Sequence, residues 1–187
     1  MDTHNVWTEV ALVDITLRDR VNPVQKTLVA GLGAGHTLQR AMSHPKTSDS
    51  LITICDNSKE VIEAWLRNDY KTRMPAWWVV HQLKQDFFAL PSTELEQYDV
   101  ILIDIDNTIE DSWDASMSGY FYTPDGFREF LSKLSVGTTV GIWLGDTILA
   151  DEFIQMVDST RGVKSLYVEN LPYDKTNYTY IITFTKE

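Results

Sequence analysis

Short apolar runs alternate with amphipathic stretches along the chain. Over residues 6–19, Val6, Val10, Val13 and Leu17 recur three or four positions apart, the spacing of one helix face. Asn22-Pro23 closes that segment. TLVAGL (27–32) is a short apolar run entering glycines and predicts a strand. Residues 35–43 predict a helix, HPKTSDS (44–50) a loop, and the β-branched LITIC (51–55) a second strand. Val61, Ile62, Trp65 and Leu66 mark the apolar face of a helix over 59–69. Strands follow over Trp77–Leu83 and Tyr98–Ile103, the latter apolar enough to be covered on both faces. Thr123-Pro124, a cap followed by proline at the first helical position, opens a helix over 124–134. A fifth strand over 138–144 precedes a helix over 147–158. VKSLYVENL (163–171) and NYTYIITFT (177–185) read as two final strands joined by the turn-rich PYDKT.

Strands that alternate with helices imply a parallel sheet with helices on both faces. Two last strands with no helix between them imply an antiparallel hairpin at its edge. The expected fold class is therefore α/β: a doubly wound, mostly parallel seven-stranded sheet with a C-terminal antiparallel hairpin. The expected organisation is one domain over 1–187, with 1–22 an N-terminal helical segment. In such a sheet, ligands bind beyond the carboxyl ends of the strands, near the switch in strand order. The candidate positions are then Gly31–Gly35, Asp56, Asp86, Asp104–Asn107 and Gly145–Asp146.

Composition narrows the setting. The 187 residues are 43% hydrophobic and 23% charged, ordinary globular values. The single cysteine, Cys55, excludes an intrachain disulfide framework. His4, His36, His44 and His81 have no zinc-ligand spacing, and no metal is expected. There is no secretory leader pattern and no run of the roughly 18 apolar residues a membrane span needs, so a cytoplasmic protein with no membrane partner is expected. The formal net charge is −11. Residues 85–127 hold ten of the acids (Asp86, Glu94, Glu96, Asp99, Asp104, Asp106, Glu110, Asp111, Asp114 and Asp125) and no Lys or Arg. The remainder, with 17 acids and 16 bases, is nearly neutral. Such a window argues against a nucleic-acid partner and permits a cationic ligand; the plainer reading is a solvated acidic loop.

Four constellations carry chemistry. The turn Gly31-Leu32-Gly33-Ala34-Gly35 lets backbone approach a ligand and leads into a helix N-terminus. Its GxGxG spacing differs from the dinucleotide GxGxxG, which disfavours a nicotinamide dehydrogenase, and it lacks the Lys-Ser/Thr of a P-loop. Asp56, directly after the second strand, is placed to accept ribose hydroxyls; the structural alternative is a helix N-cap, for which Asn57 or Ser58 would also serve. Gln85-Asp86-Phe87-Phe88 offers a carboxylate for an adenine amino group and the Phe87 ring for the base, or alternatively a cap and two core rings. Asp104-Ile105-Asp106-Asn107 puts three polar groups at the end of the most apolar strand, where they are costly unless they face a site or solvent. Trp113 lies in the same acidic stretch and reads as a pocket wall or a lid contact. No Gly-x-Ser-x-Gly elbow or Cys/His pair marks a covalent nucleophile.

In order and spacing, TLVAGLGAGHTL (27–38), YDVILIDIDN (98–107) and FYTPDGFREFLSKL (121–134) resemble the class I S-adenosylmethionine-dependent methyltransferase fold. Within it, residues 8–145 resemble the spermidine synthase (polyamine aminopropyltransferase) branch, where an apolar residue such as Val29 before the glycines is usual. The resemblance implies Gly31, Gly33 and Gly35 as the cofactor turn, Asp56 on the ribose, and Asp86 with Phe87 at the adenine. It implies Asp104, with Asp106, as the acids that hold and deprotonate an attacking amine. The implied cofactor is S-adenosylmethionine or its decarboxylated form, used as a substrate. The implied acceptor is a cationic or neutral small molecule, including polyamines, and the implied assembly a homodimer. The chain departs from the branch at Ala34, where an Asp is usual, and at Asn107, where a second Asp is usual. The branch's N-terminal β-strand domain has no counterpart in the 26 residues before the first strand. Two further readings therefore stand beside aminopropyl transfer: a small-molecule methyltransferase, and a non-catalytic ligand-binding or assembly protein on the same fold.

Overall fold

The computed structural model describes residues 6–67, 80–105, 117–145, 150–172 and 178–187. Its strands are β1 (Lys26–Ala30), β2 (Leu51–Cys55), β3 (Val80–Leu83), β4 (Val100–Ile103), β5 (Thr139–Leu144), β6 (Val163–Pro172) and β7 (Tyr178–Lys186). Its helices are α1 (Trp7–Leu17), α2 (His36–Ser43), α3 (Lys59–Arg67), α4 (Ser92–Leu95), α5 (Met117–Phe121), α6 (Pro124–Ser132) and α7 (Ala150–Ser159). The seven strands form one sheet in the order β3-β2-β1-β4-β5-β7-β6. The first five are parallel; β7 runs antiparallel to both β5 and β6. This is the doubly wound sheet with a C-terminal antiparallel pair that the alternation of patterns implied.

The strands separate two cores because side chains alternate across the sheet. Leu28, Ala30, Ile101, Ile103, Val140 and Ile142 face one layer, which holds Phe121, Phe127, Phe130 and Phe153. Val29, Ile52, Ile54, Val100 and Leu102 face the other, which holds Leu12, Leu17, Leu38, Ile62 and Trp65. Both faces being covered explains why VILI reads as an unbroken apolar run. In α1 the buried face is Thr8, Leu12, Val13, Thr16 and Leu17, which differs from the Val6–Val10–Val13–Leu17 stripe. The helix is apolar nearly all round, so periodicity alone did not define the inward face.

A glycine selects that face. A Cβ on Gly141 of β5 would lie 1.9 Å from Thr16 Oγ1, while Thr16 donates its hydroxyl back to the Leu12 carbonyl at 2.6 Å. Glycine inside a strand here marks a close backbone approach. At the helix exit, Arg20 donates to Thr139 Oγ1 (2.8 Å) and to the Gly137 carbonyl (3.2 Å), which ties α1 to the amino end of β5. Among the described residues, no helix is long and apolar enough to cross a membrane.

The Gly141→Ala substitution is expected to lower unfolding free energy by about 1–3 kcal/mol through overpacking. The readout is a lower urea midpoint at unchanged slope. A wild-type midpoint would mean that α1 retreats from β5 without cost.

Candidate functional site

The connections leave β1 in one direction and β4 in the other, so the order reverses between these two adjacent strands. The glycine turn sits at that point. Gly31, Gly33 and Gly35 have φ of +85°, +47° and +83°, a region where a side chain is strained. The Gly31 N–H donates to the Cys55 carbonyl at 2.9 Å and the Gly35 N–H to the Leu32 carbonyl at 2.7 Å. Two of the three glycines also admit neighbouring parts of the fold. A Cβ on Gly31 would lie 2.0 Å from the Asp104 carbonyl oxygen, and one on Gly35 would lie 2.5 Å from Trp65 Nε1. The turn is thus folded tightly against the end of β4 on one side and against α3 on the other.

Asp56 follows β2 and braces this turn. Its carboxylate accepts from the Leu32 N–H at 2.9 Å and from the Ser58 N–H at 2.8 Å. Each carboxylate oxygen has a second acceptor position, so ribose hydroxyls remain within its capacity. The helix cap at this end is Ser58, whose hydroxyl accepts from the Val61 N–H at 3.2 Å. Asp86 follows β3 and accepts from the Phe88 N–H at 3.0 Å, capping a 3-10 turn over Phe87–Ala89. The Phe87 ring is only 3% exposed and packs edge-on against Phe88 and tilted against Phe130. Phe87 is therefore a core ring in this arrangement, and Phe88 is the half-buried one of the pair.

Asp104 ends β4. Its N–H donates to the Ala30 carbonyl at 2.8 Å, continuing the parallel ladder by one residue. Its carboxylate oxygen Oδ2 accepts the hydroxyl of Thr37, the second residue of α2, at 2.5 Å. Nothing in the sequence pattern marks Thr37 for a role. Only the β1–β4 pairing brings a threonine beyond the glycine turn to the aspartate beyond β4. Asp106, Asn107, Trp113 and Asp146 lie outside the described residues, as do His4 and Trp77.

Cys55 is buried beside Asp56 and donates its thiol to the Gln85 carbonyl at 3.3 Å. Burial first, and then the charges of Asp56 and Asp86, push its pKa up to about 12. It is a thiol at neutral pH and no nucleophile. Among the described residues, no group of three or more His, Cys, Asp or Glu is placed to hold a metal ion.

The described acids of the 85–127 window do not share one surface. Asp99 sits at the amino end of β4, where it accepts from the Gln25 and Lys26 N–H groups at 2.7 and 3.0 Å, the end of the sheet opposite Asp104. Glu94 accepts the Tyr98 hydroxyl at 2.6 Å, and Asp125 pairs with Arg128. Of the described acids in the window, Asp86 and Asp104 are the two at the carboxyl ends of strands.

No protein-family model and no curated protein matches the chain. Solved structures match it along nearly its whole length. Spermidine synthase in complex with the transition state analogue AdoDATO has a TM-score of 0.69 at 15% identity, over 97% of this chain and 61% of its own. TrmN from Thermus thermophilus has a TM-score of 0.66 at 16% identity, over 97% of this chain. An rRNA methylase from Streptococcus thermophilus has a TM-score of 0.63 at 9% identity, over 100% of this chain and 98% of its own. Two other methyltransferases of this fold are in complex with SAH. The chain spans about half (48%) of the length of TrmN. Exclusion of a nucleic-acid partner does not stand, because the same fold, over its full length, is that of an rRNA methylase. The physical reason is that described acids close in sequence, such as Asp99 and Asp104, are divided between opposite ends of the sheet, so the charge of the window is not the charge of one surface. At these identities the likeness establishes architecture: the chain has the class I S-adenosylmethionine-dependent methyltransferase fold.

Proposed function

We propose that the protein is an S-adenosylmethionine-dependent methyltransferase. The observation that carries this reading is the single cluster at the β1–β4 switch: a three-glycine turn in left-handed conformation, Asp56 braced against it, and Asp104 beside it. The methyltransferases and the methylase that share the fold support methyl transfer over other uses of the same cluster. Asp56 takes the ribose hydroxyls, and Asp86 takes the adenine amino group. The Gly31–Gly35 turn carries the sulfonium end of the ligand toward Asp104. The acceptor's lone pair attacks the methyl carbon, the carbon–sulfur bond breaks, and sulfur leaves as a neutral thioether that needs no acid. The acceptor's N–H or O–H proton passes to the Asp104 carboxylate, with Asp106 as a second acid of that role. Positioning supplies the remainder of the rate.

Aminopropyl transfer to an amine is the second reading, favoured by an aspartate at the end of β4 and by the likeness to spermidine synthase. It needs a base more acutely, because an alkyl ammonium of pKa about 10 is protonated at neutral pH. Both readings use the same residues and differ in the carbon attacked.

The deciding experiment incubates the protein with a panel of amines, phenols and RNA. One arm supplies S-adenosylmethionine and the other its decarboxylated form. S-adenosylhomocysteine in the first arm is expected, and methylthioadenosine in the second arm alone would replace the first reading by the second. Neither product at high protein concentration, with adenosyl ligand bound, overturns both.

Two substitutions separate binding from chemistry. Asp56→Ala is expected to weaken S-adenosylhomocysteine binding about 10- to 100-fold in calorimetry, since bonds to a charged acceptor are lost. Asp104→Asn is expected to leave that affinity within about threefold and to remove turnover, because an amide accepts no proton. Equal loss of binding in both variants would show that the two acids do not divide the work this way.

A further inference from the structure

Thr37 is 2% exposed. Deeper in a helix a threonine donates back to the carbonyl of the preceding turn, as Thr16 does to Leu12, but Thr37 is the second residue of α2 and has no preceding helical turn. Thr37 instead reaches across to Asp104, 67 residues away in the chain. The two residues meet because α2 leaves the glycine turn while β4 ends against that same turn, with the Asp104 carbonyl in the space a Gly31 Cβ would fill. A hydroxyl that donates to a carboxylate favours its ionised form and holds it in one orientation.

We propose that Thr37 is a positioning residue for Asp104: a part-buried hydrogen bond ties the proton-accepting carboxylate to the first turn of the helix that follows the ligand-binding glycines. This rests on the reading of Asp104 as the proton acceptor. A carboxylate so held keeps its orientation toward the glycine turn, because Thr37 belongs to the helix that leaves that turn. Asp56, the acid after β2, is already braced by the Leu32 and Ser58 N–H groups, so the Asp56 and Asp104 carboxylates are held from different elements. His36, beside Thr37, is the titratable side chain in the first turn of α2.

The test compares Thr37→Val, which keeps the shape and removes the donor, with Thr37→Ser, which keeps the donor. The Asp104 carboxyl carbon is followed through a pH titration by NMR and assigned by its loss in Asp104→Asn. The expected result is a titration midpoint raised by about 1 unit in Thr37→Val and restored in Thr37→Ser. S-adenosylhomocysteine affinity is expected to stay within about threefold in both. An unmoved midpoint in Thr37→Val overturns the proposal. So does a loss of ligand affinity in Thr37→Val matching that of Asp56→Ala, because Thr37 would then be shaping the turn. Thr37→Ala replaces Thr37→Val if the latter does not fold. If wild-type protein binds no adenosyl ligand while the midpoint moves as expected, the hydrogen bond's role stands and the methyltransferase reading falls.

Discussion

The carboxyl end of the sheet depends on how closely the turn after β1 approaches the end of β4. Gly31 and Asp104 come together so tightly that no side chain fits between them. A bulkier residue at Gly31 would push the two strand ends apart and strain a backbone already in left-handed conformation. The same approach lets the Asp104 N–H extend the ladder to Ala30 and brings its carboxylate to Thr37. Asp56 completes the frame from the other side by accepting from the middle of the turn. The glycines thus serve two purposes. Their conformation makes the tight turn after β1, and their missing side chains let neighbouring parts of the fold approach it.

A similar close approach operates on one face of the sheet. Gly141 admits α1 to the sheet, and Arg20 anchors the exit of that helix to β5. With α1 seated, the apolar face made by Val29, Val100 and Leu102 is covered, and β4 can be buried on both sides. The aromatic layer on the opposite face, centred on Phe121, Phe127 and Phe130, holds Phe87 and so sets the 3-10 turn that Asp86 caps. The binding end is in this sense a consequence of both cores: one carries the helices of the glycine turn, and the other carries the turn after β3.

Charge shows how sequence neighbourhood and spatial neighbourhood diverge. Asp99 and Asp104 are separated by a strand of four residues, and that strand carries them to opposite ends of the sheet. Asp99 caps the start of β1, whereas Asp104 belongs to the candidate site. A net charge of −11 is consequently a property of the chain and not of one surface.

Much of the architecture was legible in the sequence. LITIC is β2 residue for residue, and the Thr123-Pro124 cap opens α6 as its chemistry requires. The strands were readable because burial on both faces forces unbroken apolar runs, and the strand-end acids because polar groups there contrast with those runs. The inward face of α1 was not readable, since its apolar residues run round the helix and the choice belongs to Gly141 on a strand more than a hundred residues away. The short α4 and α5 and the 3-10 turn escaped because so few residues carry no periodicity. Thr37 escaped for a deeper reason. A lone threonine in a helix has no pattern, and its role exists only once β4 pairs with β1. Local propensity and hydrophobic pattern determined which segments form strands and helices, and so which residues end at the binding edge. The tertiary structure alone decided which of those residues touch, because hydrogen bonds across strands that are distant in sequence form only when the sheet order is set.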